Sequence, residues 1–200
     1  MPLSSVSQLL LRNVECLKAQ YPLLVNMPAD NFTNELATIN PNSLISVFNN
    51  NFQNHHLARS FSSELNTTFS AYYHTNSIKH DLIIMHFPKS KKELFFNLAM
   101  LSHCSTPETK VLIVGDNKGG IKSLPKMVKK DMAYCEKLDS ARHCVLFELA
   151  LLNTETPFNV EEWFHYYSLT IANTELKIAA LPGVFSQEKL DVGTSVLLNH

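Results

Sequence analysis

The chain has 200 residues, of which 45% are hydrophobic, and a formal net charge of −1. This length suits one large domain, or one domain and the start of a second, with a substantial core. No apolar run approaches the roughly 20 residues of a membrane-spanning helix, and the N-terminus lacks the basic start and long apolar stretch of a secretory signal. The composition therefore argues against membrane-spanning helices, and we expect a cytoplasmic protein.

Helix-like and strand-like segments alternate along the chain, which is typical of a layered α/β fold. In chain order they predict a helix at residues 6–17, strands at 21–26 and 44–48, a polar helix ending at 61, strands at 67–73 and 81–87, a helix from 91, a strand at 110–115, a helix at 121–130, strands at 134–138 and 143–151, a helix from 160, and strands at 169–171 and 176–180. The strand at 81–87 is nearly all apolar, as expected when both faces of a strand are covered.

Capping signals mark where three of these helices begin. Ser4 or Ser5 is placed to cap the first, and Ser90 with Glu93 forms a capping box before the helix from 91. The apolar residues predicted to face inward on that helix are Leu94, Phe95, Leu98 and Leu101. A similar start at 159–162 predicts an aromatic helix that contains Trp163, Phe164, Tyr166 and Tyr167.

The last twenty residues contain a turn followed by a short apolar helix. Pro182 and Gly183 turn the end of a strand, and Asp191 opens the helix. The sequence LPGVFS at 181–186 with LDVGT at 190–194 closely resembles the segment that precedes the cofactor-binding glycine motif in bacterial small-subunit ribosomal RNA guanine-N2 methyltransferases, the "methyltransferase small" family. In that family two methyltransferase-like halves are joined, and the C-terminal half catalyses the reaction.

Three further segments carry the same resemblance in family order. They are LLLR at 9–12, VGDNKGGIKS at 114–123 and KLDSARHC at 137–144. The resemblance implies a Rossmann-like, methyltransferase-type α/β fold, a doubly wound mixed sheet with helices on both faces. It also implies a non-catalytic N-terminal domain at 1–167 and, at 168–200, the start of the catalytic domain or a linker strand segment. We expect the rest of the catalytic domain to lie outside this chain.

The two motifs that a working half needs in this family are not found in the N-terminal region. A glycine-rich turn must follow the first strand so that the backbone approaches the cofactor closely. Here VNMPAD follows at 25–30, and all five glycines lie beyond residue 114. An Asn-Pro-Pro-aromatic motif must follow the fourth strand, where this chain has HFPK at 86–89. The resemblance thus implies no catalytic residue and no complete cofactor site here, and S-adenosylmethionine as the cofactor of the parent enzyme.

The C-terminal segment contains four candidates for the wall of the cofactor pocket of the catalytic half. By resemblance these are Phe185, Ser186, Asp191 and Gly193. An ordinary turn followed by a helix N-cap at Asp191 explains the same residues, so both readings stay open at this point.

Basic residues are concentrated in the middle of the chain, with twelve Lys and Arg against seven Asp and Glu between Lys79 and Arg142. Two groups follow the carboxyl ends of neighbouring predicted strands, where α/β proteins usually bind ligands. They are Lys89, Lys91 and Lys92, and Lys118, Lys122, Lys126, Lys129 and Lys130. On a helix, the last four share one face. We predict that both groups bind RNA phosphates; a solvated surface is the alternative.

Other residue types point to no further chemistry. The four cysteines are scattered without a CxxC pair, and the nine histidines show no metal-ligand spacing, so we expect free thiols and no metal. Four aromatic residues, which could stack on bases, are expected instead to pack in the core or at an interface: Tyr72, Tyr73, Trp163 and Tyr167.

The sequence therefore predicts the N-terminal, catalytically silent half of an S-adenosylmethionine-dependent 16S ribosomal RNA guanine-N2 methyltransferase. Its expected partners are the 16S ribosomal RNA or small ribosomal subunit and its own C-terminal catalytic domain, with no membrane and no metal. Two alternatives stay open. One is a self-standing degenerate methyltransferase-like module for binding or scaffolding, and the other is an active enzyme with an unrecognised cofactor site.

Overall fold

A computed structural model describes residues 2–61, 65–74, 78–128, 132–151, 157–171 and 174–198. The strands within these ranges are β1 (Pro22–Val25), β2 (Ser46–Asn49), β3 (Asn66–Phe69), β4 (His80–His86), β5 (Ser105–Asp116), β6 (Met132–Ala141), β7 (Cys144–Leu151), β8 (His165–Ile171) and β9 (Thr174–Ala180). The α-helices are α1 (Ser5–Leu11), α2 (Phe32–Ile39), α3 (Phe52–Phe61), α4 (Lys91–His103), α5 (Leu124–Val128) and α6 (Val192–Leu198).

Seven strands form one sheet in the order β3-β2-β1-β4-β5-β7-β6. The first five strands are parallel to their neighbours, β7 runs antiparallel to β5, and β6 runs antiparallel to β7. The strand order reverses between β1 and β4, because the chain moves outward from β1 to β3 and then returns. This topology confirms the predicted doubly wound mixed sheet.

Helices cover both faces of the sheet, which is also as predicted. On one face the core contains apolar side chains of α1, α2 and α3, and on the other it contains those of α4 and α5. The central strand β4 contributes alternately to the two sides: Leu82 and Ile84 to the first, Ile83 and Met85 to the second. The continuous apolar run at 81–87 thus follows from burial on both sides.

The opening helix is shorter than predicted. Ser4 caps α1 by accepting a hydrogen bond from the backbone N of Ser7, at 3.2 Å. The α-helix ends at Leu11, and a separate 3-10 turn covers Val14–Leu17. Asn13 lies between them, and its side-chain amide donates to the carbonyl oxygen of Leu9 (2.9 Å) and to a carboxylate oxygen of Asp139 (3.0 Å). The helix therefore ends where Asn13 supplies a partner for one of its last carbonyls.

The first helix packs against strands that come much later in the chain. The apolar residues of α1 lie against β5 and β7, and α1 also contacts β6. Besides the bond from Asn13, the guanidinium of Arg12 is 3.5 Å from the Asp139 carboxylate. The N-terminus and the last two strands of the large sheet thus form one packed unit.

The helix α4 begins as predicted, but one of the residues predicted to face inward does not. Ser90 accepts from the backbone N of Glu93 at 3.4 Å, and the burial of Leu94, Leu98 and Leu101 confirms their prediction. Phe95 is only half-buried, and it is Phe96 that is buried. The reason is that Phe158 and Trp163 cover α4 on a second side, with ring centroids 5.7 and 5.5 Å from that of Phe96.

The predicted aromatic helix after residue 159 was wrong. A single 3-10 turn covers Val160–Trp163, capped by Asn159, and the chain then enters β8. Tyr166 and Tyr167 pair with Ala179 and Ile178 of β9 instead of lying on a helix. Aromatic side chains favour strands when a partner strand is available, and that partner comes later in the chain.

The hairpin β8–β9 forms a separate two-stranded sheet, followed by a turn region and α6. The predicted domain boundary at 167/168 falls within β8 and stays a prediction. Among the described helices, each is too short or too polar to cross a membrane.

Candidate functional site

The carboxyl ends of the five parallel strands lie along one edge of the sheet, here called the C-terminal edge. In open α/β sheets, ligands bind at this edge in the crevice where the strand order reverses. In this chain the reversal lies between β1 and β4. The turns that follow these strands therefore form the candidate functional site.

The turn after β1 is closed by an asparagine. Asn26 has a φ of 51°, a left-handed conformation that asparagine tolerates better than most residues. Its backbone N donates to the carbonyl oxygen of Phe48 at 2.9 Å, and its side-chain Oδ1 accepts from the backbone N of Asn50 at 2.9 Å. The end of β1 is thus bonded to the end of β2, at the position where the resemblance implies a glycine-rich turn in a working half.

Glu93 of α4 continues this connection across the reversal point. The side-chain Nδ2 of Asn50 donates to Oε1 of Glu93 at 3.3 Å. Burial raises the pKa of Glu93, and the hydrogen bond from Asn50 opposes the rise. We call Asn26, Asn50 and Glu93 the polar bridge, because they join the ends of β1 and β2 to the helix that follows β4.

The turn before the C-terminal segment packs on the polar bridge. Gly183 has a φ of +94°, and a Cβ at this position would lie 2.8 Å from Cδ of Glu93. Lys92 forms an ion pair with Glu188 beside this contact. The region 181–188 is therefore held against the start of α4.

Asp30 fixes the other end of the turn after β1. This buried carboxylate accepts hydrogen bonds from the backbone N of Ser4 (2.8 Å), the hydroxyl of Ser7 (2.8 Å) and the backbone N of Phe32 (2.9 Å). It thereby ties the start of α2 to the start of α1. The turn that holds a cofactor in a working half is here a structural joint between two helices.

The residue that follows β4 packs in the core. Phe87 is buried, its backbone N donates to the carbonyl oxygen of Val114 at 2.8 Å, and its Cβ would lie 2.8 Å from a Cβ placed on Gly115. Burial lowers the pKa of His86, and the nearby Asp116 carboxylate opposes this effect. The imidazole is therefore neutral at pH 7.

The described members of the two predicted RNA-binding groups are exposed and lie near the C-terminal edge, after β4 and β5. They are Lys89, Lys91, Lys92, Lys118, Lys122 and Lys126. Lys92 pairs with Glu188, and the ammonium of Lys91 is 5.7 Å from the ring centroid of Phe95. Among the described residues, the other four have no acidic partner within 4.0 Å. Their charges are available to an anionic partner.

The helix predicted at 121–130 is confirmed in part. Its first three residues, Ile121–Ser123, form a 3-10 turn that contains Lys122, and α5 follows with Lys126. Lys118 lies before it, in a separate 3-10 turn at Asn117–Gly119. Lys129 and Lys130 lie outside the described residues.

Three of the four predicted pocket-wall residues come together around Asp191. Its carboxylate accepts from the backbone N and hydroxyl of Thr194, at 3.1 and 2.7 Å, and from the hydroxyl of Ser186 at 3.3 Å. The bonds from Thr194 are the main reason that the pKa of Asp191 is lowered. Gly193 lies in the first turn of α6, where a Cβ would be 3.3 Å from Oδ1 of Asp191. The N-cap reading is confirmed; a role in a cofactor pocket stays a prediction.

Phe185, the fourth candidate, is 83% exposed. The neighbouring Ser186 has a φ of 59°, and its carbonyl oxygen accepts from the hydroxyl of Tyr167 at 3.2 Å. The exposed aromatic ring is thus presented by a turn that is bonded to the hairpin.

The aromatic residues weighed as stacking candidates are engaged within the chain. Tyr73 contacts Phe48 and His80, with ring centroids 5.7 Å apart in each case, and Trp163 contacts Phe96. Tyr72 lies beside Phe158 in the lining of a 370 Å³ cavity. These contacts confirm the expectation of packing for Tyr72, Tyr73 and Trp163.

Two of the thiols are unsuited to nucleophilic chemistry, because burial raises the pKa of Cys104 to about 12 and that of Cys144 to about 11. All four cysteines are free, as predicted. Within the described part of the chain, no three His, Cys, Asp or Glu side chains are grouped as metal ligands.

The sequence did not single out the polar bridge or the exposed rings of Phe52 and Phe69. The only signal for the bridge was the run of asparagines at 49–51 after a predicted strand. Exposed phenylalanines cannot be told from core residues without knowing which way each element faces.

Comparison with known proteins assigns the family. The family described as "Methyltransferase small domain N-terminal" matches residues 7–167. The chain belongs to this family. As a methyltransferase small N-terminal domain, it carries the strand order 3-2-1-4-5-7-6 in its large sheet.

Similar proteins are longer than this chain. It is 45% identical to the ribosomal RNA small subunit methyltransferase C of Colwellia psychrerythraea, an alignment that covers 100% of the chain and 58% of the relative. It is 35% identical to the protein of the same name from Pseudoalteromonas translucida, over 99% of the chain and 57% of the relative. The chain therefore spans somewhat more than half the length of these relatives.

A solved structure supports the fold. The T. thermophilus 16S rRNA N2 G1207 methyltransferase, in complex with AdoMet and guanosine, matches with a TM-score of 0.77 and 17% identity. The match covers 98% of this methyltransferase small N-terminal domain chain and 51% of the solved one.

Proposed function

We propose that this chain is the N-terminal, catalytically silent part of an S-adenosylmethionine-dependent methyltransferase that modifies the N2 amine of a guanine in 16S ribosomal RNA in the cytoplasm. Residues 1–167 form the non-catalytic domain, and 168–200 begin the catalytic one. The silent part contributes RNA recognition and supports the catalytic half. The observation that carries this proposal is the polar bridge across the reversal point of the sheet.

The polar bridge supports a catalytically silent domain, because its side chains occupy the turn that a cofactor would have to approach. In a working half, glycines let the backbone approach the cofactor. Here Asn26 has a side chain that is bonded to the next strand, and Glu93 is half-buried next to it. A turn closed by side-chain hydrogen bonds does not fit the close backbone approach that S-adenosylmethionine needs at this position. The buried Phe87 is likewise unavailable to hold a target base.

The exposed lysines support RNA recognition. Lys89, Lys118, Lys122 and Lys126 lie after two adjacent strands and have no acidic partner among the described residues. Each lysine that neutralises a phosphate releases counterions, so binding through these residues must weaken as salt rises.

Exposed apolar side chains at the C-terminus support a contact with the catalytic half. Val192 and Leu197 of α6 are 81% and 77% exposed, and Phe185 is close to them in the chain. An isolated two-stranded hairpin such as β8–β9 is at best marginally stable in water. A partner domain that covers the hairpin and α6 would stabilise the hairpin and bury the exposed apolar side chains of α6.

Calorimetric titration with S-adenosylmethionine tests whether this chain binds the cofactor. We expect no heat of binding from this chain, and micromolar binding would refute the proposal and favour an active enzyme. The longer protein that contains the catalytic half is the positive control. A stable dimer of the chain that binds no RNA would favour the scaffold alternative.

A charge-matched pair of variants tests RNA recognition. Lys118→Gln with Lys122→Gln should weaken binding of a short small-subunit RNA hairpin and lower the slope of log affinity against log salt by about 1.5, since each phosphate contact contributes about 0.7–0.9. Lys18→Gln with Lys110→Gln is the control, because both residues lie near the opposite edge of the sheet. Equal effects of the two pairs would contradict a specific RNA-binding edge.

A further inference from the structure

Two exposed phenylalanine rings meet at the C-terminal edge, on the side opposite to α4. Phe52 begins α3 and is 64% exposed, and Phe69 ends β3 and is 48% exposed. Their ring centroids are 5.5 Å apart in an edge-to-face arrangement, with an interplanar angle of 73°. Large aromatic side chains are costly to leave in water, so an exposed pair calls for a partner.

Two histidines extend this surface. The ring centroid of His55 is 5.6 Å from that of Phe69, and the ring of His56 is nearly parallel to that of Phe52, with centroids 6.1 Å apart. We call Phe52, His55, His56 and Phe69 the aromatic platform. Burial is the main cause of a lowered pKa at His55, with the charge of Arg59 adding to it, so this imidazole is neutral at pH 7.

Buried polar atoms without a partner lie next to the platform. Asn49 pairs in register with Phe69 in the sheet, is 1% exposed, and has no hydrogen-bond partner for its Oδ1. Nδ1 of His55 is also buried without a partner. Such groups each cost about 1–3 kcal/mol of stability when they stay unpaired.

The surroundings of the platform are close to neutral. Within residues 46–61 and 65–74, the side chain that carries a full charge is Arg59, which is exposed. The sequence 46–74 also contains Glu64, and Asn50 is bonded to Glu93, so positive charge for a phosphate must come from elsewhere on the edge. The C-terminal edge also leads from β3 through β2 and β1 to β4 and β5, which are followed by the exposed lysines. Neighbouring strands are about 4.8 Å apart, so β3 and β5 are about 19 Å apart.

The geometry points to the aromatic platform as a stacking site for an unpaired base of RNA whose backbone continues toward the lysines of the same edge. An unpaired base has a free π-face on which the phenylalanine rings can stack. Duplex RNA offers no such free face along its length, since its bases are stacked within the helix. This inference rests on the RNA recognition proposed above and adds its preference for single-stranded nucleotides.

Conservative variants test the stacking. The full chain carrying Phe52→Leu and Phe69→Leu keeps apolar side chains at exposed positions and loses both π-faces. Its affinity for a fluorescein-labelled single-stranded 12-mer RNA should fall about tenfold or more. Its affinity for a 12-base-pair RNA duplex, and the salt slope of both, should stay as in the parent chain. The control is Tyr134→Leu, an exposed aromatic of the opposite edge strand β6.

The lysine pair separates this inference from the proposed function. If Lys118→Gln with Lys122→Gln weakens binding of both RNAs and the phenylalanine pair changes neither, stacking is refuted while RNA recognition stands. If the parent chain binds neither RNA, both the RNA recognition and the stacking are refuted. A change in self-association of the phenylalanine variant without a change in RNA affinity would make the platform a protein interface and overturn the inference.

Cross-linking gives a second readout that does not depend on affinity. The single-stranded RNA with 5-iodouridine at each position in turn should cross-link on irradiation to peptides that contain Phe52 or Phe69. Cross-links confined to peptides of other parts of the chain would contradict the placement of the base on the platform.

Discussion

Replacement of Gly183 by alanine should release the C-terminal segment from the large sheet. The φ of +94° costs an L-residue about 1–2 kcal/mol. The new Cβ would lie 2.8 Å from Cδ of Glu93, so the carboxyl must move and lose its hydrogen bond from Asn50, at about 1 kcal/mol. The docked state of the segment thus loses about 2–3 kcal/mol, which raises the undocked population about 30- to 150-fold.

Amide hydrogen exchange measures this change locally. Protection of the amides at 184–195 should fall by that factor, while protection of β4 and β5 stays the same. Gly119→Ala is the matched control, because a Cβ there meets no atom within 4 Å. If Gly183→Ala and Gly119→Ala leave equal protection at 184–195, the contact between the turn and Glu93 does not hold the segment, and the reasoning is refuted.

Three further predictions concern stability, measured by urea unfolding. Asp30→Ala should cost about 3 kcal/mol, because three hydrogen-bond donors lose a buried acceptor; a loss below 0.5 kcal/mol would show that water replaces it. Gly115→Ala should cost about 1–3 kcal/mol, since its Cβ would lie 2.8 Å from that of Phe87, and an unchanged midpoint would contradict this. The raised pKa of Glu93 means that the folded chain binds more protons than the unfolded chain above pH 4.5, so stability should fall as pH rises through the folded pKa. Glu93→Gln should remove this part of the pH profile, and an identical profile would contradict the assignment.

Local signals predicted much of the fold because they act over a few residues. The caps at Ser4 and Ser90 could be predicted from the sequence, because each cap is a local contact. The serine hydroxyl accepts a hydrogen bond from a backbone N only three residues later. The apolar run of β4 likewise indicated burial on both faces. The helix expected after Asn159 failed because its cap is real but the following aromatic residues pair with a strand that comes later.

The candidate site was less accessible to sequence reasoning because its contacts join distant residues. Asn26 and Asn50 are 24 positions apart, and Asn50 and Glu93 are 43 apart. No local pattern specifies that three such side chains meet. The lysines after β4 and β5 were found because a parallel sheet brings the carboxyl ends of its strands to one edge.

The position of α1 has a consequence for the order in which the chain folds. Asn13 and Asp139 are 126 residues apart, and the apolar side of α1 is covered by β5 and β7. During synthesis this side has no surface to pack on until those strands have been made, so α1 emerges long before it can be buried. We expect truncation before β7 to leave a chain that exposes Leu9 and Leu10 and aggregates, rather than a smaller folded domain.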